Sequence, residues 1–379
     1  MQDYSVGIRS LALSFPNTIL TNDYYRQKYP QIVSQSEQKS LARLFSLADS
    51  TPSNEFDQEM LPYLQDPFRG AVERRILAPG ESSLTLEYRA ARDALEAGKF
   101  SIEDIDLAIV TSFGTEEVVA GNAALLVNQL GLHCPAWNLN SMCSSGIVAL
   151  QTASTLVRAK EYRNILVVTS CTYSRLLDER DTLSWITGDG AGVFVVSELK
   201  ANQGILGSKI VHSAETCGAF HTEIAEDSQG KLRLFMKTGK GANRVISNTA
   251  ADFVQRCCEG AAANANVTID EIDFFIFNTP TAWFTKFGAR ILGINPERTI
   301  NLYPQYGNIG PVLPLANLYH AALSGKIHEN DLVLVYSFGA SANATATVMR
   351  WGDVALGPTD FLQKSSHCDR LLQCTNSTF

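Results

Sequence analysis

Cys143 stands in the run Pro135-Ala136-Trp137-Asn138-Leu139-Asn140-Ser141-Met142-Cys143-Ser144-Ser145-Gly146, where a strand-like stretch gives way to a helix-like one at 147–157. A thiol on such an elbow lies at the first backbone amides of a helix, which lack intrahelical acceptors and carry partial positive charge. That setting favours thiolate over thiol and offers donors to an oxyanion on a bound acyl group. A helix end stabilises an adjacent anion by about 0.3–2 kcal/mol, a pKa fall of roughly 0.2–1.5 units from a free-thiol value near 8.5. Acylation of Cys143 is therefore predicted without a strong partner base. A cysteine buried in apolar core suits the same position, and the elbow alone does not separate the two readings.

The elements that position this thiol occur twice. A short helix start runs into a buried strand at 102–111 and again at 269–278. Each is followed by a helix closing on a Leu-Gly pair, Leu130-Gly131 and Leu292-Gly293, and then by an irregular elbow, at Cys143 and at Gly307-Asn308-Ile309-Gly310. A helix (149–160 and 314–324) and a second buried strand (164–169 and 331–336) follow each elbow. The halves close on Gly188-Asp189-Gly190-Ala191-Gly192 and on Phe338-Gly339-Ala340-Ser341, each leading into a strand. Equivalent positions stay about 165 residues apart, as expected of repeated supersecondary units. Apolar strands alternating with amphipathic helices predict mixed sheets covered by helices. Strand C-terminal ends gather where ligands bind in such folds, so Cys143, Asn278, Asn308 and Gly339 are predicted to converge. Asn308 also suits a plain turn beside Gly307. The Gly188–Gly192 run precedes a strand rather than a helix, so a phosphate loop is excluded and tight packing is predicted.

The chain has 379 residues, 45% hydrophobic and 18% charged, with net charge −8. This is enough for one large duplicated unit, and the acidic balance excludes a general nucleic-acid binder. The eight cysteines (134, 143, 171, 217, 257, 258, 368, 374) form no CxxC pair and no zinc spacing with histidine. Scattered cysteines in a long chain point to a reduced, cytoplasmic setting. No apolar run reaches the roughly 18 residues of a membrane span, and no signal peptide is read at the start.

Taken together these residues resemble the thiolase superfamily, most closely the type III β-ketoacyl-carrier-protein synthases, over residues 5–22 and 70–352. The carrying pieces are the cysteine elbow, Gly188-Asp189-Gly190-Ala191-Gly192, Tyr306-Gly307-Asn308, Ser337-Phe338-Gly339, Met349-Arg350-Trp351 and the Arg-rich turn at 70–81. The resemblance implies duplicated α/β halves in a five-layered αβαβα arrangement. The first half spans 1–200 with a helical insertion at 23–69, the second spans 201–352, and a tail occupies 353–379. It implies that Cys143 takes an acyl group from a coenzyme A or acyl-carrier-protein thioester, with the amides of Cys143 and Gly339 holding the oxyanion. It implies no bound cofactor or metal, a homodimer, and no nucleic-acid or membrane partner. Trp283, Phe338 and Trp185 are placed along the substrate channel.

The family's histidine and asparagine stabilise an enolate formed by loss of carbon dioxide from a malonyl thioester. Asn308 matches the asparagine. Counting fifteen residues back from Gly293 puts Asn278 where the histidine belongs. An amide can donate a hydrogen bond but cannot shuttle a proton near pH 7. Val72 and Trp283 also replace arginines of the family pattern. His221, in Gly218-Ala219-Phe220-His221-Thr222-Glu223, is the candidate replacement base on a predicted loop, with a solvated loop histidine as the alternative. His133, His320 and His328 are assigned to surface or packing. The resemblance thus implies an acyltransferase of specialised metabolite assembly that passes its acyl group to a carrier, amine, alcohol or carbon nucleophile. Decarboxylative condensation with a malonyl thioester and a non-catalytic partner subunit of a heterodimeric synthase are the alternatives.

In the insertion, 23–46 is predicted mostly helical with a break at Pro30, and 56–64 as a second short helix. It forms either a surface cap or a lid over the substrate entrance. The polar tail beyond 352 is expected to lie loosely or on the surface.

Overall fold

The computed structural model describes residues 5–39, 52–227 and 230–358. In chain order the strands are β1 (Val6–Ser14), β2 (Thr18–Thr21), β3 (Glu73–Ile76), β4 (Leu107–Phe113), β5 (Ala136–Asn138), β6 (Ile165–Thr172) and β7 (Asp189–Glu198) in the first half. The second half adds β8 (Gly204–His212), β9 (Phe220–Glu226), β10 (Leu232–Thr238), β11 (Phe274–Phe277), β12 (Leu332–Phe338), β13 (Asn343–Arg350) and β14 (Ala355–Leu356). The α-helices are α1 (Asn22–Lys28), α2 (Pro30–Lys39), α3 (Glu55–Met60), α4 (Ser83–Gly98), α5 (Ala123–Leu130), α6 (Ser145–Arg158), α7 (Ala242–Asn264), α8 (Phe284–Leu292), α9 (Tyr303–Tyr306) and α10 (Leu313–Leu323).

Two sheets carry the duplication, one ordered β14-β1-β7-β6-β4-β5 and the other β11-β12-β13-β8. Strands β4 and β6 are parallel neighbours, as are β11 and β12, and all are apolar runs buried on both faces. Helix α4 covers the outer face of the first sheet, resting on β1, β7 and β6. Helix α7 covers the outer face of the second, resting on β8 and β13. Between the sheets, α6 packs on β6 and β13 while α10 packs on β1, β11 and β12. The layers are therefore αβαβα, and the largest apolar cluster fills the middle one. The paired helices α5 and α8 end alike, on Gly131 (φ 71°) and Gly293 (φ 67°), whose left-handed backbones close the last turns.

Two departures from the sequence expectations follow from long-range pairing. The tail contributes β14, which lies parallel to β1 through Ser10–Ala355 and Leu11–Leu356, so residues past 352 rejoin the first-half sheet. Residues from 359 onward lie outside the described ones. The stretch holding His221 is no loop: β9 pairs antiparallel with β10 as a separate hairpin. The insertion breaks at Tyr29 before Pro30 as expected, but Leu41, Leu44 and Phe45 of its predicted apolar stripe lie outside the described residues.

His320 is a packing residue, as predicted. It sits on α10 with its Nε2 3.0 Å from the Tyr306 hydroxyl, and burial pushes its pKa down to about 4. The unfolded chain takes up this proton near 6.5, so stability falls as pH drops from about 6.5 to 4. His320→Gln is expected to flatten that limb, worth up to about 3 kcal/mol, in denaturation midpoints measured across the interval.

Candidate active site

The elbow after β5 is held tight by its own polar groups. Met142 takes a positive φ of 53°, uncommon for a residue with a side chain, and its N–H donates to Asn140 Oδ1 at 2.9 Å. The Ser141 N–H donates to Ser145 Oγ, and Ser144 Oγ donates to the Ser141 carbonyl. This turn sets Cys143 two residues before α6 and aims it at a cavity at the junction of the halves. The thiol is partly exposed on that cavity and otherwise enclosed by protein, so the apolar-core alternative does not hold.

Asn278 and Asn308 line the same cavity, as predicted, with Phe338 on its wall. Asn308 is pinned across the junction: its N–H donates to the Ile186 carbonyl and its own carbonyl accepts from the Gly188 N–H. Its Oδ1 accepts the Gly310 N–H at 2.8 Å, which fixes the amide and leaves Nδ2 as a donor. Asn278 is oriented the other way. Its Nδ2 makes a long bond, 3.4 Å, to Ser337 Oγ, whose own proton goes to the Cys143 carbonyl at 2.8 Å. The buried Asn278 Oδ1 has no hydrogen-bond partner among the described residues. An unpaired buried acceptor of this kind costs about 1–3 kcal/mol unless something donates to it.

Burial reverses the predicted thiol acidity. It pushes the Cys143 thiol up to about 11, against which a hydrogen bond from Tyr173 acts only in part. Tyr173, with its hydroxyl 3.8 Å from Cys143 Sγ, is the residue that sequence reasoning missed.

Other assignments move. The Gly339 N–H donates to the Asn343 carbonyl at 2.8 Å, because the turn between β12 and β13 uses it, so it is not free for an oxyanion. Ala340, the next residue, lines the cavity, and neither its N–H nor that of Cys143 has an acceptor among the described residues. His221 is exposed on the hairpin face opposite Phe220, since alternate residues of a strand point apart; Phe220 lines the cavity and His221 does not. Trp185 is fully buried beneath Tyr25, Tyr29 and Phe68. Trp283 is fully buried against Phe56 and Tyr63. The insertion covers both indoles, so neither lines the cavity. Among the described residues no group of three His, Cys, Asp or Glu is placed to hold a metal.

The insertion itself does reach the site. Phe56 of α3 forms part of the cavity wall beside Phe284 and Ile246. Asn54 caps α3 by accepting the Asp57 N–H, and its Nδ2 donates to Ser247 Oγ at 2.9 Å. Asp57 accepts from the same hydroxyl, and Arg290 of α8 pairs with Glu59 at 2.6 Å. The predicted cap is thus fastened to the second half and serves as wall as well as cover.

Two pseudo-equivalent α/β halves with a cysteine elbow at their junction define the thiolase-like class. Comparison with known proteins narrows this. The model of 3-oxoacyl-acyl-carrier-protein (ACP) synthase III matches residues 137–214, and the model of that family's C-terminal part matches 262–351. A β-ketoacyl-acyl-carrier-protein synthase III from Microcystis aeruginosa is 30% identical over 296 residues, covering 75% of this chain and 88% of the relative. The enzyme of the same name from Porphyra purpurea is 31% identical over 301 residues, covering 75% and 89%. Among solved structures, 3-oxoacyl-acyl-carrier-protein synthase III from Aquifex aeolicus superposes with TM-score 0.73 at 23% identity, covering 92% of this chain and all of the other. An OleA from Xanthomonas campestris superposes with TM-score 0.74 at 18% identity, covering 92% and 97%. The chain belongs to the type III β-ketoacyl-acyl-carrier-protein synthase family, and is an acyltransferase of that kind.

Proposed function

We propose that this enzyme loads an acyl group from a coenzyme A or carrier-protein thioester onto Cys143 and passes it to an acceptor that presents an N–H or O–H group. In the first step the Cys143 sulfur bonds to the acyl carbon and the donor thiol leaves with the proton. In the second the acceptor bonds to that carbon, the Cys143 sulfur leaves, and the acceptor's proton returns to it. The free amides of Cys143 and Ala340 supply donors for the tetrahedral oxyanion, and a donor of this kind contributes roughly 10²–10³-fold in rate.

Asn278 carries the choice of acceptor. With Nδ2 turned to Ser337, the atom left over is an acceptor oxygen, which repels an enolate and welcomes an N–H or O–H. The decarboxylative reading draws support from Asn308, whose Nδ2 is a fixed donor fit for a thioester oxygen. The two divide on carbon dioxide release. With labelled malonyl thioester and an acyl-loaded enzyme, we expect no release coupled to product, while amine or alcohol acceptors discharge the acyl adduct seen by intact mass. Stoichiometric release with a condensed product would overturn the proposal in favour of condensation.

A further inference from the structure

Tyr173 follows directly on the apolar strand β6 and begins a tight helical turn, Tyr173–Arg175. Its side chain is 4% exposed, so its hydroxyl must find its partner within the protein. That partner is the Cys143 sulfur at 3.8 Å, within hydrogen-bonding range for sulfur, and among the described residues it is the only one the hydroxyl has. Phe113 holds the ring edge to face, with centroids 5.3 Å apart. Gly310 leaves room for the hydroxyl: a Cβ there would fall 3.5 Å from it and 2.9 Å from Cys171 Sγ. Both Tyr173 and Cys143 line the cavity, so an acceptor brought to the acyl group is brought to the phenol as well.

We propose that Tyr173 is a catalytic residue of this site, the proton partner of the Cys143 sulfur in both half-reactions. The inference rests on the acyl-transfer reading above. During loading the Cys143 proton passes to the departing donor thiol, and the neutral phenol donates a hydrogen bond to the sulfur as it gives that proton up and bonds the acyl carbon. During discharge the sulfur leaves with its electron pair, takes the phenolic proton, and the phenol regains one from the acceptor. The net change is one proton moved from acceptor to sulfur, with Tyr173 unchanged. A hydroxyl can relay a proton in this concerted way without ionising, a service the Asn278 amide cannot give.

The groups facing the pair leave few other candidates. Cys171 lies behind it on β6, a buried thiol whose own acidity burial suppresses. Asp189 at the start of β7 is spent on the Ser174 N–H and hydroxyl and on the Leu77 N–H. Tyr336 of β12 contributes a second phenol to the wall, and Asn308 and Asn278 contribute neutral amides. No Lys, Arg or His acts on the sulfur among the described residues.

Tyr173→Phe keeps the ring and removes the hydroxyl. Three readouts are compared with the parent enzyme: iodoacetamide alkylation of Cys143 from pH 7 to 10, single-turnover loading from octanoyl-coenzyme A, and discharge of the purified acyl-enzyme by hydroxylamine. Cys143→Ala supplies the blank, and circular dichroism checks the fold. The variant is expected to shift the alkylation profile up by about one pH unit and to slow loading and discharge each by tenfold or more. Unchanged loading and discharge rates overturn the proposal, whether or not the alkylation profile moves. Failure of the parent enzyme to form any acyl adduct would instead overturn the acyl-transfer reading, a result separable from the variant's behaviour. If Tyr173→Phe does not fold, Tyr173→Trp and the same three rates serve in its place.

Discussion

Cys143→Ala is expected to fold normally, to show no acyl adduct by intact mass with any acyl thioester, and to lose roughly 10³-fold or more of its turnover. The loss should be this large because no other described cysteine lines the cavity in a position to hold the acyl group. The other described cysteines are either buried without a hydroxyl partner, like Cys171 and Cys258, or placed off the cavity. Stability should change by no more than about 1 kcal/mol, since only a small side chain facing an existing cavity is shortened. An adduct of equal yield in the variant would move the nucleophile elsewhere.

Gly339→Ala is expected to disable the enzyme by a different route. A Cβ at this position would stand 2.2 Å from the Ser141 carbonyl oxygen and 2.7 Å from Ser144 Oγ. The carbonyl cannot swing aside, because it already accepts from the Ser144 N–H and from that hydroxyl. Either the turn after β12 or the elbow bearing Cys143 must shift. Such overpacking costs about 1–3 kcal/mol, and a displacement near 1 Å at the reacting atom costs about 10²-fold in rate. Thermal melting and single-turnover loading measure the two effects, and parent-like loading in a folded variant would show that the two turns move independently.

Much of this was legible in the residues. The paired Leu130-Gly131 and Leu292-Gly293 endings, and apolar runs of strand length between helices, were enough for the duplicated αβαβα layers. Equivalence of the two elbows was enough to bring Cys143 and Asn308 into one cavity. What escaped depends on contacts far apart in the chain. Tyr173 reads as the polar end of a strand, and nothing near it in sequence tells which way its ring turns. Phe56 looks like one more apolar residue of a surface helix until Asn54 and Asp57 meet Ser247. The hairpin at His221 reads as a loop in the sequence because His221, Glu223, Arg233 and Lys237 occupy one of its faces and mask the alternation of Phe220, Ile224, Leu234 and Met236 on the other. Trp185 and Trp283 were placed by analogy along a channel, but the insertion occupies the space over both. The acidity of Cys143 escapes the sequence for a related reason, since local sequence shows the helix end and hides the depth of burial.

The return of β14 to β1 has a consequence for how the protein is made. The outer edge of β1 emerges from the ribosome long before the strand that pairs with it, which begins at Ala355. Until then a newborn chain offers unpaired backbone groups to any neighbour with a free strand, a setting that invites aggregation. Synthesis of β14, rather than folding of the leading half, is what shields the edge of β1 at Ser10 and Leu11.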